Sequence, residues 1–133
     1  DKSSRSWNGN RVFISNDGPM EVAEAYLAQF QKDFSSFLTA RAQEIVKGGC
    51  MFIYLSGRDT ADPRHQGASG VIGDILEAAF NDILSQGLIE VEKLHSFNLP
   101  FFAPCAEELI AEFEKEGSFI IKRILFLSGV VEK

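Results

Sequence analysis

The sequence has 133 residues, 13 Lys and Arg against 19 Asp and Glu, a formal charge of −6 and 45% hydrophobic content. One ordinary globular domain of this size buries roughly 68–70% of its unfolded surface, which argues against a disordered tail or a multidomain chain. The acidic balance without a basic run argues against nucleic acid and anionic membrane as partners, and no stretch reaches the ~18 apolar residues of a membrane span.

The N-terminus lacks the apolar core of a secretory leader. Cys50 and Cys105 lie far apart in apolar contexts and read as buried free thiols of a reducing compartment. The expectation is a soluble, cytoplasmic protein.

Asp1 to Ser6 read as a polar tail. Arg11-Val12-Phe13-Ile14-Ser15 reads as a short strand closed by the turn Asn16-Asp17-Gly18-Pro19. From Glu21 the period changes: Val22, Tyr26, Phe30, Phe34, Phe37, Leu38 and Ile45 form the stripe of a long amphipathic helix, stopped by Gly48-Gly49 with Lys47 in its last turn. Phe30, Phe34 and Phe37 at this spacing are core candidates. Cys50 to Leu55 is apolar without alternation, which suits a strand covered on both faces. Strand, helix, strand predicts a right-handed crossover unit with a parallel sheet.

Asp59 to Gly70 reads as a loop, and Val71 to Gln86 as a second helix stopped at Gly87. Asn98 to Phe102 should be extended, and adjacent rings at Phe101 and Phe102 then point opposite ways. One can pack inward while the other faces an apolar cavity. Pro104 opens a third helix with Glu107 and Glu108 in its first turn, and Gly117 ends it. Its many glutamates read as a solvated face, and Cys105, three residues before Glu108, makes a weak capping box. Ser118 to Leu127 reads as an edge strand broken by Lys122 and Arg123.

Few motifs carry chemistry. Gly67-x-x-Gly70-x-x-Gly73 has the wrong spacing for a dinucleotide loop; small residues there let a backbone or ligand come close. His65 and His95 are the only histidines and match no zinc spacing. His65 reads as solvated, whereas His95 stands beside Ser96-Phe97-Asn98, where a carbonyl and an amide oxygen suit a hard cation. No nucleophile–base constellation is legible.

Several strings taken together carry a resemblance. They include Ala25-Tyr26-Leu27-Ala28-Gln29-Phe30-Gln31-Lys32-Asp33-Phe34, Gly48-Gly49-Cys50-Met51, Ser96-Phe97-Asn98-Leu99-Pro100 and Glu116-Gly117-Ser118-Phe119. In this order they resemble the plant SABATH methyltransferases, which methylate carboxylates of salicylate, benzoate, jasmonate and indole-3-acetate, or xanthine nitrogens. The resemblance runs from about Asn8 to Phe126. It implies an α/β fold: part of a Rossmann-like methyltransferase core, with parallel strands and a crossover helix, plus an α-helical cap. Residues 8–58 would be late core, 59–117 cap and 118–133 a returning core strand. Family members are longer, so the loop that holds S-adenosylmethionine is expected before Asp1.

The resemblance places substrate-binding positions at Ser56, Ile72, Gly73 and Phe102, with no catalytic side chain. Salicylate-type members carry Trp where Gly73 stands, so glycine implies room for a larger acid, as in indole-3-acetate-type members. Phe102 keeps the ring of the family's frequent Tyr without its hydroxyl. A magnesium site would use Asn8, His95, the carbonyl of Phe97 and Asn98, with His95 in place of the family's usual Asp.

The expected activity is methyl transfer to a small apolar carboxylic acid, with this chain as an inactive fragment. A non-catalytic binding or dimerisation module and an N-methyltransferase stay open as alternatives, as does a homodimer.

Overall fold

The computed structural model describes residues 7–8 and 11–127; the predicted tail 1–6, positions 9–10 and the last part of the returning strand, 128–133, lie outside the described residues. Among the described residues four helices follow one another: α1 (Met20–Glu44), α2 (Ala68–Ser85), α3 (Val91–Ser96) and α4 (Ala106–Glu116). No helix among the described residues is long and apolar enough to cross a membrane.

The helix boundaries follow local chemistry. α1 begins after Pro19, with Glu21 in its first turn, and stops at Glu44, ahead of the expected Gly48-Gly49. The β-branched pair Ile45-Val46 leaves the helical conformation, and a turn at positive-φ Gly48 follows, with Gly49 N–H donating to Val46 O at 2.8 Å. α2 starts before the expected Val71 and ends in a Schellman turn: Gly87 N–H reaches Leu84 O at 2.9 Å and Leu88 N–H reaches Ile83 O at 3.2 Å. α4 ends where expected, on left-handed Gly117 at φ 80°. α3 has six residues and no legible stripe, so its absence from the sequence reading has a plain cause.

Among the described residues there is no strand, so the three expected strands, the parallel sheet and the strand–helix–strand unit are not seen within this chain by itself. An extended run becomes a strand only when a second backbone answers its N–H and C=O groups. Residues 50–56 do not have both faces covered, since Phe52 is 90% and Tyr54 81% exposed. Ile120, Leu125 and Leu127 are likewise exposed in the run after Gly117. Val12, Phe13 and Ile14 are buried in succession as an irregular segment, tied across the fold by Leu99 N–H to Val12 O at 2.7 Å.

Packing has two apolar centres. In one, Val12, Phe13 and Leu94 from α3 are covered by Phe80, Leu84, Leu99 and Phe101. The other lies between α1 and α4, where Phe34 meets Phe113 edge-on at 5.7 Å and Leu38 has no exposed surface. Phe34 is the core residue expected; Phe37, at 39% exposure, is a correction, because one more step around the helix carries it past the α4 contact. Glu112 is also corrected: it turns inward at 4% exposure, with Lys115 Nζ at 3.5 Å. Cys105 is buried as expected, but Cys50 lies on the exposed run.

Leu38→Ala removes a fully buried side chain and should destabilise the protein by about 2–5 kcal/mol in urea denaturation. Phe37→Ala, at the half-exposed neighbouring position, should cost clearly less in the same measurement.

Candidate functional site

The segment 98–104 carries Phe102 and Asn98, two of the expected site positions. Arg58 follows Gly57 at the end of the apolar run and has no exposed side-chain surface. A buried guanidinium keeps its charge only if fixed acceptors replace water. Here Nη1 donates to Ala103 O at 2.5 Å, and Nη2 donates to the Glu108 carboxylate and to Ala61 O at 3.3 Å. The other Glu108 oxygen accepts Cys105 N–H at 3.1 Å, the reciprocal half of the capping box foreseen for α4. Gln66 completes the knot: its Oε1 accepts Ala103 N–H at 2.6 Å and its Nε2 donates to Pro63 O at 2.6 Å. Burial pushes the Cys105 thiol up, which keeps it protonated and unsuited to nucleophilic attack.

This knot holds Phe102. Arg58 Cζ lies 5.0 Å from its ring centroid, and the Phe30 ring of α1 lies 5.5 Å away. A cation over one aromatic and a second ring beside it leave Phe102 a narrow range of orientations. Ser56 is exposed, on the strand-like run that meets the same segment through Arg58 N–H to Pro104 O at 3.1 Å. Ser56 and Phe102 therefore sit on adjoining stretches of chain.

Ile72 and Gly73 lie on the first half of α2, Ile72 at 58% exposure and Gly73 buried. The room expected at Gly73 is filled. A Cβ there would stand 2.7 Å from Phe13 Cγ and 2.9 Å from Cε1, closer still to Cδ1. At Gly73 the close approach is made by the side-chain ring of Phe13, where the sequence suggested a backbone or a ligand. None of Ser56, Ile72, Gly73 and Phe102 lines the cavity of about 220 Å³ formed by Asn16, Asp59, Thr60, His65, Gly67, Gly70, Val71 and Asp74. His65 is a half-exposed loop residue beside Asp62, as expected; Arg64 holds the Asp62 carboxyl well below the usual range.

The four candidate metal positions fall on two neighbouring segments. Asn8 Nδ2 donates to Phe13 O, while Asn8 Oδ1 is buried without a hydrogen-bond partner. His95 ends α3, Phe97 caps it with N–H to Leu94 O at 3.0 Å, and Asn98 borders Tyr26. The orphan Asn8 oxygen would suit a cation, but the set as a whole carries no carboxylate. Among the described residues no group of three or more His, Cys, Asp or Glu could hold a metal. A neutral amide, imidazole and carbonyl set does not compensate the charge of magnesium, so it does not fit that ion.

Phe13, Arg58 and Gln66 escaped the sequence reading. Only Arg58 left a signal, a lone cation between an apolar run and a loop.

Arg58→Met leaves the partly buried Glu108 carboxylate without its cation and empties a buried site, and should destabilise the protein by about 3 kcal/mol in chemical denaturation. Tyr26, whose phenol burial pushes up to about 12, should ionise last in an ultraviolet pH titration, a component that Tyr26→Phe removes. The unfolded chain releases that proton first, near pH 10, so this contribution to stability is complete below pH 10 and declines as pH rises toward 12.

Comparison with known proteins gives this geometry a context. Residues 1–131 match the family described as SAM dependent carboxyl methyltransferase. A probable jasmonic acid carboxyl methyltransferase of Theobroma cacao is 47% identical over 117 residues, which are 88% of this chain and 31% of that protein. A 3,7-dimethylxanthine N-methyltransferase of Camellia sinensis var. assamica is 42% identical over 117 residues, again 88% and 31%. Among solved structures, a loganic acid methyltransferase with SAH superimposes with a TM-score of 0.84 at 35% identity, covering 92% of this chain and 35% of that one. That framework is consistent with a Rossmann-like fold. The chain spans about a third of the length of these relatives. It belongs to the S-adenosylmethionine-dependent carboxyl methyltransferase family, the plant SABATH methyltransferases.

Proposed function

We propose that this chain is the acceptor side of an enzyme that moves a methyl group from S-adenosylmethionine to the carboxylate of a small apolar acid. The observation that carries this reading is the family match over residues 1–131, joined by the 47% identity to a probable jasmonic acid carboxyl methyltransferase. In this reading Ser56, Ile72, Gly73 and Phe102 belong to the acceptor wall, and residues 59–117 form the helical cap between core segments 8–58 and 118–133. S-adenosylmethionine supplies the electrophilic sulfonium methyl.

In this reading the chain supplies the acceptor side rather than the cofactor site. The glycine-spaced stretch 67–73 leads into a helix, with Gly73 closed by Phe13, and offers no loop for a nucleotide. What the chain contributes is shape. A carboxylic acid is already ionised near neutral pH, so its oxygen needs no general base. An aromatic wall whose ring is clamped by Arg58 and Phe30 can hold the acid in a fixed orientation and exclude water from the reacting oxygen.

The xanthine N-methyltransferase relative, at 42% identity, supports a second reading in which the acceptor is a ring nitrogen. A non-catalytic binding module is the third reading. The three separate in one experiment: the full-length protein containing this chain is incubated with methyl-labelled S-adenosylmethionine and salicylate, benzoate, jasmonate, indole-3-acetate or xanthines. Methyl esters are expected. N-methylxanthines alone would overturn carboxyl methylation, and no labelled product from any acceptor would favour the binding module. The 133 residues by themselves should give no turnover and no tight S-adenosylmethionine binding by titration calorimetry.

A further inference from the structure

Glycine at position 73 is open space only if nothing else enters it. Three ring atoms of Phe13 lie within 3 Å of where a Cβ would be, so the ring is laid against the Gly73 backbone. That ring is 2% exposed and cannot easily swing aside. Its own carbonyl accepts the Asn8 amide, and the preceding carbonyl, Val12 O, accepts Leu99 N–H at 2.7 Å. Phe101 stands on another side, with ring centroids 6.2 Å apart. Phe13 therefore joins α2 to the segment that carries Phe102, the two places where the acceptor wall is proposed.

We infer that Phe13, packed on Gly73, is the residue that sets how large an acid the site admits. The ring stands in for the side chain that position 73 lacks, so glycine there does not enlarge the pocket. The acceptor class that follows is slim, an acid with one ring or an open chain rather than a fused bicycle such as indole-3-acetate. This rests on the proposed carboxyl methylation and on Gly73 belonging to the acceptor wall. It reverses the size preference that glycine at this position implies when the sequence is read alone.

The test uses the full-length protein containing this chain, with benzoate and indole-3-acetate as probes and kcat/KM measured for each. Wild type should favour benzoate. Phe13→Ala should move the indole-3-acetate to benzoate ratio by about tenfold or more toward indole-3-acetate, the scale on which pocket volume discriminates substrates. Phe13→Leu, which keeps most of the packing, should move it the same way by less. A ratio of two acids is insensitive to the fraction of protein folded, so a purely structural role for Phe13 would leave it unchanged. Gly73→Ala alone should lower activity on both acids, and the Phe13→Ala background should tolerate it, because the obstructing ring is gone.

A ratio within about twofold of wild type in both Phe13 variants, with methyl transfer retained, overturns this inference and leaves carboxyl methylation standing. Failure of the wild type to esterify any acid overturns carboxyl methylation and the inference with it, and is recognised before any substitution is made.

Discussion

A guanidinium sealed from water is a demanding object to fold around, and Arg58 imposes its demands on everything near it. Its charge must be met by acceptors, because an unpaired buried charge costs several kcal/mol; both Nη atoms find them, while Nε is buried without a hydrogen-bond partner. The acceptors come from positions far along the chain, Ala103 and Glu108, and from Ala61 in the intervening loop. Satisfying them brings the apolar run, the 59–66 loop, the 98–104 segment and the start of α4 to one point. Glu108 does two tasks there, neutralising Arg58 with one oxygen and capping Cys105 N–H with the other.

From that knot the aromatic residues extend in two directions. Phe102 receives the cation on its face and passes contact to Phe30 and Phe34 of α1, Phe113 of α4 and Phe119 just beyond it. Phe101, its neighbour, turns to Phe13 and so to α2. The opposed directions of two adjacent rings in an extended segment are what couple the two apolar centres. A change at either end is transmitted by contact between rings, since packed interiors leave little slack.

Much of the helical skeleton was legible, and the reason is local. Period-3.6 stripes, an acidic first turn and glycines with positive φ at helix ends are encoded within a few residues, which is why α4 and its Gly117 stop agree closely with expectation. α1 ended early because the conformational preference of Ile45-Val46 outweighed the glycine pair beyond it. The apolar runs 50–55 and 118–127 were legible as extended chain but not as sheet, because pairing depends on a second backbone that composition does not specify. Ile72 and Phe102 became candidates through family resemblance alone. Phe13 was not, since a phenylalanine in an apolar run carries no mark of the glycine it will meet.

The order of residues by itself determined the glycine-stopped ends of α2 and α4, the acidic net charge, and membership of a methyltransferase family, because these depend on near neighbours or on strings of identities. Only the tertiary structure decided that Arg58 is buried, that Glu108 is its counter-ion, and that the space beside Gly73 is already filled. Those outcomes arise from contacts between residues tens of positions apart. A side chain's volume and charge are written in the sequence, but which volume fills which vacancy is settled only when the chain closes on itself.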